Sequence, residues 1–284
     1  MYYGLIILSV VMFGVCFSMQ DSYRKERGSG LRTSLESSFW GGLSGLIVLL
    51  LVNGFRFEFT LFTLIIALLA AINNIAFIFC SIKALDTINL SLFSLFSMLG
   101  GMVLPFLQGI IFYGEGFGVA KALCLVFITI SLCLTVSRGE KKKGTPYYIG
   151  IFVLNGMSGV LSKLFTSAPF EKTSSAGYSI WIALCTAVLA GIALLFMREK
   201  GKKYTAKALT VVNLRGAMNQ VANFFLVVAL VHVDASVQYP LVTGGVMIVS
   251  TLLCFFDKRL PSKKEVLSVT LAFLGMLALF VIPM

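Results

Sequence analysis

Ten stretches of apolar sequence, each long enough to cross a lipid bilayer, follow one another along this chain. A spanning helix needs about 20 mostly apolar residues, because the hydrocarbon core is about 30 Å thick and a helix rises about 1.5 Å per residue. The stretches are continuously apolar rather than alternating, which favours helices over a barrel. They cover residues 2–20, 36–52, 60–80, 89–112, 118–136, 147–164, 176–197, 207–230, 235–256 and 264–282. The sequence therefore predicts an all-α membrane protein of about ten transmembrane helices.

The composition agrees with this fold class and disfavours an enzyme. Of the 284 residues 58% are hydrophobic and 12% are charged, whereas a soluble domain is about a quarter charged. The short connectors leave no room for a soluble catalytic domain. No carboxylate lies deep in any apolar stretch, and no metal-ligand cluster, catalytic triad or phosphate-binding glycine loop is visible. We expect no catalytic activity, no cofactor and no metal.

The positive charge is distributed by connector and predicts the topology. Eighteen of the 23 lysines and arginines fall in the odd-numbered connectors or at their edges, and four fall on the opposite side. Cytoplasmic loops of membrane proteins carry the excess of basic residues. The odd connectors should then be cytoplasmic and both termini extracytoplasmic. The same distribution explains the net charge of +11 without nucleic acid as a partner.

The two halves of the chain echo each other at an offset of 145 residues. At this offset Asn74 meets Asn219 and Gly100 meets Gly245. The echo agrees with an equal division into five and five helices, at the basic linker around residues 137–145.

An odd number of helices in each half sets the direction of the second half. The second half must enter the membrane in the orientation opposite to the first, so the repeat is inverted. We expect two five-helix repeats, at residues 1–143 and 144–284. Inverted repeats give two equivalent packings around a central site, one open to each side of the membrane. Duplication kept only for stability is the alternative.

Short motifs, paired between the halves, carry a resemblance to a known family. They are Ala84-Leu85 and Ala229-Leu230, the small-residue segments 89–101 and 234–245, and the acidic turns Tyr113-Gly114-Glu115 and Asp257-Lys258-Arg259-Leu260. In order and spacing they resemble the drug/metabolite transporter superfamily, in its ten-helix branch with paired EamA-like domains.

The resemblance implies a transporter with a central cavity lined by helices one, three, four, six, eight and nine. The chain departs from the family pattern in one proline and in its heavily basic first connector, which is unlike that of many relatives. The family has a proline in the fourth helix of each half. Pro240 matches it in the second half, but the first half has only Pro105, which lies further along its helix.

Polar side chains inside the apolar stretches are the candidate site residues, because such residues usually face the bundle or a watery cavity. The predicted cavity residues are Asn73, Asn74, Ser94, Ser97, Asn155, Ser158, Lys163, Arg215, Asn219, Gln220, Asn223, Gln238 and Tyr239. For any single one, an interhelical hydrogen bond is an equally good interpretation. Arg215, Asn219 and Asn223 are spaced four apart and predict one polar stripe.

Two of these residues suggest the charge of a ligand. Arg215 and Lys163 lie within helices and have no deep carboxylate to neutralise them. A buried unpaired cation is costly, so a substrate carboxylate could supply the anion unless both side chains snorkel to the interface.

The function that the sequence favours is transport of a small polar metabolite, amino-acid-like or carboxylate-bearing, across the cell (inner or plasma) membrane. The expected partners are that solute and membrane lipids, and a homodimer is left open. The alternatives are a membrane scaffold or sensor, a lipid flippase and an ion channel.

Overall fold

The computed structural model describes residues 2–88, 90–114, 118–135, 145–198, 203–256 and 263–282, which form ten α-helices. The helices are α1 (Tyr2–Arg27), α2 (Leu31–Val52), α3 (Leu61–Leu85), α4 (Leu90–Tyr113), α5 (Val119–Thr135), α6 (Thr145–Ser167), α7 (Ser175–Phe196), α8 (Ala206–Leu230), α9 (Ala235–Phe256) and α10 (Lys263–Val281). Most of the basic linker, Asn89, Glu115 and the turn at 257–260 lie outside the described residues.

The all-helical prediction is confirmed, and six helices are long and apolar enough to cross a membrane. They are α1, α2, α3, the Phe96–Tyr113 part of α4, the Pro146–Ser167 part of α6, and α7. Their outward faces carry large apolar side chains, such as Ile7 (65% exposed), Leu51 (60%) and Leu195 (86%). Apolar surface of this extent is rare on soluble proteins and is what lipid would cover.

Two of the remaining helices show why fewer than ten meet that criterion. Helix α5 is only 17 residues long in the described chain. Helix α8 has the length, but it carries Asn213, Arg215, Asn219, Gln220 and Asn223 along its course. These polar residues lower its hydropathy.

Three helices begin at a hydroxyl that accepts a hydrogen bond from the backbone of the first turn. Thr60 caps α3, Ser174 caps α7 and Thr205 caps α8. A side-chain oxygen at this position satisfies one of the unpaired N–H groups of a helix start. These helices therefore begin within a residue or two of the predicted stretches.

The first connector is much shorter than its charge suggested. The stretch from 21 to 35 looked like a basic loop, but α1 continues to Arg27 and α2 already begins at Leu31. The turn between them needs only three residues, with Gly28 at a φ of +93°, a conformation that favours glycine. The charged residues are helical because they pair with one another, as described below.

Helix packing joins the two halves of the chain throughout the bundle. Helix α8 packs on both α1 and α2, and α3 packs on both α6 and α7. Helix α4 packs on α6 and α9, α1 packs on α9, α2 on α7, and α5 on α10. Each helix of the first half can be matched to one of the second half, α1 to α6, α2 to α7, and so on to α5 and α10. When matched helices are exchanged, the α1–α8 contact becomes α6–α3, α2–α8 becomes α7–α3, and α4–α6 becomes α9–α1, all of which are contacts of the bundle.

Glycines allow two of these crossings to bring backbones into contact. A Cβ added to Gly216 of α8 would lie 2.2 Å from the Cα of Gly41 in α2. One added to Gly42 would lie 2.9 Å from the backbone nitrogen of Ala187 in α7. In membrane bundles, small residues at such positions permit close helix association.

Replacing Gly216 by alanine should therefore destabilise the bundle. The obstacle is backbone rather than a flexible side chain, so α2 and α8 must separate. We expect Gly216→Ala to lower the free energy of unfolding by about 1–3 kcal/mol, measured as a lower melting temperature in detergent. Gly4→Ala in α1 is the control, since no atom lies within 4 Å of the added Cβ. Equal melting temperatures for the two variants would contradict the close crossing.

Candidate functional site: a polar cavity between the two halves

A cavity of about 110 Å³ lies in the bundle. Its walls come from six helices, α1, α3, α4, α6, α8 and α9. A cavity of this volume holds several waters, or a small solute of similar size.

Seven of the thirteen predicted site residues line this cavity. They are Asn74, Asn155, Ser158, Asn219, Asn223, Gln238 and Tyr239. Ser162 of α6 and Thr243 of α9, which were not in the predicted set, add two hydroxyls. No charged side chain is among the lining residues in the described part of the chain.

The other six predicted residues are buried between helices instead. Asn73, Ser94, Ser97, Lys163, Arg215 and Gln220 are each at most 9% exposed and are not in the lining. Asn73 shows the alternative role, because its amide nitrogen donates to the backbone carbonyl of Leu154 at 2.9 Å.

Arg215 leaves the stripe that it was predicted to share with Asn219 and Asn223. Four residues of an α-helix turn through about 400°, so side chains spaced by four drift by about 40° at each step. Asn219 and Asn223 face the cavity, while the guanidinium of Arg215 lies against α2, where Gly41 leaves room for it. Arg215 is 7% exposed and its Nε has no hydrogen-bond partner in the described residues.

Three amides of the lining donate to backbone carbonyls. The Nδ2 of Asn155 donates to Ser97 O at 2.6 Å. The Nε2 of Gln238 donates to a carbonyl of α8 at 2.9 Å, and the Nδ2 of Asn223 donates to the carbonyl one turn earlier in its own helix at 2.8 Å. A carbonyl can only accept, so these bonds fix which arm of each amide is nitrogen.

Three hydroxyls of the lining likewise donate their hydrogens to backbone carbonyls. Tyr239 donates to a carbonyl of α6 at 2.9 Å, and Thr243 donates to a carbonyl of α4 at 2.9 Å. Ser162 donates to the carbonyl one turn earlier in α6 at 3.0 Å. The bonds of Tyr239 and Thr243 join α9 to α6 and to α4.

Aromatic and aliphatic residues, which the sequence did not single out, form the rest of the wall. Phe13 and Phe17 of α1 and Phe77 of α3 contribute rings, and α8 contributes Leu226 and Leu230. On a spanning helix, an apolar residue facing a cavity has the same local pattern as one facing lipid or another helix. No signal in a single sequence separates them.

A cluster of ion pairs closes the opposite end of the bundle. Arg27 Nη2 lies 2.5 Å from Glu36 Oε2, and both side chains are at most 5% exposed. Arg32 pairs with the other oxygen of Glu36 at 2.9 Å, and Arg24 joins Asp21 and Asp86 at 2.8 Å each. The cavity, in contrast, reaches towards the α8–α9 connection, since its α8 residues lie between 219 and 230 and its α9 residues between 238 and 243.

Tyr204, in the α7–α8 connector, extends this cluster to the second half of the chain. Its ring lies 4.1 Å from the guanidinium carbon of Arg27, and its hydroxyl accepts from Trp40 Nε1 at 3.0 Å. Burial raises the pKa of the Tyr204 phenol, so the group stays neutral at physiological pH.

The described residues contain no group of three or more His, Cys, Asp or Glu that could hold a metal ion. Four cysteines, Cys16, Cys80, Cys124 and Cys185, are free thiols.

Comparison with known proteins identifies the fold but no family. No family model and no curated protein matches the chain. Twenty-eight chains of solved structures match it. One, a crystal structure of a protein, has a TM-score of 0.67 and 18% sequence identity, and the match covers 98% of this chain and 94% of that one. At this identity the similarity shows that the two chains share a fold.

The buried ion pair at the closed end leads to a stability prediction. Glu36→Gln would leave the Arg27 guanidinium without its buried carboxylate, and such a loss typically costs about 3–5 kcal/mol. We expect a large fall in melting temperature for Glu36→Gln and a smaller one for the double variant Arg27→Met/Glu36→Met. The control is Asp86→Asn, because Asp86 is 51% exposed and an exposed pair contributes about 0–1 kcal/mol. A double variant less stable than the single one would contradict this account.

Proposed function

We propose that the protein is a secondary transporter or facilitator that moves a small polar metabolite across the cell membrane by alternating access. The observation that carries the proposal is the polar cavity, which sits between helices of both halves and is lined by amides and hydroxyls. Polar groups are expensive inside a membrane unless they have partners or a function. The cavity has the size of a small metabolite.

All ten helices span the membrane in this proposal. Helix α8 is the most polar of them, but four of its polar residues are either buried or line the cavity. Arg215 and Gln220 are buried, and Asn219 and Asn223 face the cavity. A span of this kind needs no uniformly apolar sequence, because neighbouring helices and cavity water satisfy its polar groups.

The two halves, 1–143 and 144–284, are proposed to be inverted repeats. Support comes from the helix contacts, most of which keep their pattern when the halves are exchanged. Further support is the hydrogen bond from Thr243 to the carbonyl of Met98, which joins residues 145 apart in sequence. A residue can contact its own repeat counterpart only close to a symmetry axis, and this axis would pass beside the cavity. Such repeats supply two alternative packings around one site.

The family we propose is the ten-helix, EamA-like branch of the drug/metabolite transporter superfamily. The cavity is lined by the first, third, fourth, sixth, eighth and ninth helices, the set that the sequence resemblance implies. With the odd connectors cytoplasmic, the ion-pair cluster would close the cytoplasmic end, and the cavity would reach towards the outside. Anionic lipid would attract the basic connectors.

A specific observation favours an amino-acid-like cargo, whose carboxylate would pair with Arg215 beyond the cavity while its ammonium group stays inside. Arg215 is buried, and its Nε has no hydrogen-bond partner among the described residues. It lies one helical turn from Asn219, at about 6 Å along the helix axis. A carboxylate that moved one turn past the cavity, towards the cytoplasmic end, would reach it. Lys163 does not share this role, because its Nζ lies over the ring of Tyr113, 5.4 Å from the centroid.

The direct test is flux by purified protein in liposomes, against a panel of amino acids, organic acids, purines and small cations. We expect saturable flux of at least one class. Asn223→Leu should lower that flux by about tenfold or more, because it removes a polar group from the cavity wall. Asn213→Leu is the matched control, since Asn213 also donates to the carbonyl one turn earlier in α8 but lies outside the cavity. Absence of flux for the whole panel would favour a scaffold or sensor.

A further inference from the structure

Most polar side chains of the cavity wall give a hydrogen to a backbone carbonyl and keep an oxygen that can accept one. Six of its nine polar side chains direct a donor to a backbone carbonyl, as the three amides and three hydroxyls described above show. An amide held in this way keeps its oxygen as an acceptor, beside one remaining N–H. A hydroxyl whose single hydrogen is used can only accept from a ligand.

Gln238 is the strongest case, because its unused acceptor is buried. The side chain is 1% exposed, and its Oε1 has no hydrogen-bond partner in the described residues. A flip of the amide would not help, since the nitrogen is already held by the carbonyl of Leu226. A buried polar atom without a partner is costly, and native structures rarely leave one. The missing partner of this oxygen is a hydrogen-bond donor.

We propose that the cavity binds its solute through N–H groups, and that the solute is a small organic ammonium or amine. The claim that this ligand is also the cargo rests on the proposed transport function. The Oε1 of Gln238 and the oxygens of Asn155 and Asn223 receive the N–H donors. A carboxylate placed among the same oxygens would meet acceptors on most sides.

The apolar part of the wall suits the same ligand. Phe13, Phe17 and Phe77 line the cavity, and aromatic faces attract an organic cation through their quadrupole. The wall carries no cationic side chain in the described residues, so no lining side chain repels a positive charge. The carbon chain of an amine has the rings and α8 aliphatic side chains to pack against. A bare alkali cation would fill little of the 110 Å³ and would leave those rings unused.

The test is equilibrium binding to the detergent-purified full chain, by calorimetry, with four probes. Three share a four-carbon chain: 1,4-diaminobutane, succinamide and succinate. The fourth, tetramethylammonium, has the charge without an N–H donor. We expect 1,4-diaminobutane to bind at least about tenfold more tightly than succinate or tetramethylammonium, since a hydrogen bond to a charged group is typically worth that factor. Succinamide should lie between them.

Two variants connect the binding to the proposed acceptor. Gln238→Met keeps the side-chain length but removes Oε1, and we expect diamine affinity to fall by about tenfold. Asn213→Leu is the matched control, because Asn213 also donates to a backbone carbonyl but does not line the cavity, and it should bind the diamine as the parent does. Circular dichroism and melting temperature show whether each variant is folded. Asn223→Leu offers a second loss of acceptor if Gln238→Met does not fold.

The outcomes separate this inference from the transport proposal. Diamine binding without flux would retain the amine site and overturn the transport function. Flux of solutes that lack N–H groups, with no diamine binding, would retain transport and overturn the amine site. Succinate binding as tightly as the diamine, or equal binding of tetramethylammonium, would also overturn it. So would displacement of the diamine by sodium chloride but not by choline chloride at equal ionic strength, because that result assigns the acceptors to sodium.

Discussion

Hydrocarbon offers no hydrogen-bond partners, and the arrangement of this bundle follows from that constraint. The backbone satisfies itself by forming helices, and polar side chains inside the bundle then bond the carbonyls of neighbouring helices or of their own. Asn73 and Asn155 between α3, α4 and α6, and Tyr239 between α9 and α6, are examples. These side chains hold the helices together, and they also determine which of their atoms remain for a ligand.

The two ends of the bundle differ in the same terms. At one end, charged side chains of α1 and α2 pair with each other in a largely buried cluster around Glu36. Towards the other end the polar side chains are neutral and line the cavity. Under alternating access, the ion pairs would be the contacts that break when the cavity opens to the cytoplasm. The free energy lost with these pairs would then be part of what substrate binding must offset.

The helices could be predicted well where apolar length and a capping hydroxyl coincide. The predicted stretches 60–80, 176–197 and 207–230 start within a residue of α3, α7 and α8. The ends of α1 and α2 could not be predicted in this way, because their charged residues resemble a loop until the pairing of Arg27 with Glu36 is known. Long-range pairing of this kind leaves no trace in a local pattern.

The sequence could predict several amide side chains of the cavity, but not which way each helix turns its side chains. Asn74, Asn219 and Asn223 stand out as polar residues in apolar helices, and they do line the cavity. Arg215 has the same periodicity, but it faces α2 because a glycine there leaves space for it. Which aromatic rings face the cavity, and which amide and hydroxyl hydrogens bond to backbone carbonyls, depends on how each helix is rotated about its axis. That rotation is set by packing between helices far apart in sequence.

Access to the cavity from both sides of the membrane is the central claim, and cysteine labelling tests it most directly. Asn219→Cys in a chain whose six native cysteines are replaced can be reconstituted in one orientation and treated with a membrane-impermeant thiol reagent. We expect the cysteine to be labelled from either side of the bilayer. A transported solute should change the two labelling rates in opposite directions, or lower both. Labelling from one side only, unchanged by any transported solute, would contradict it.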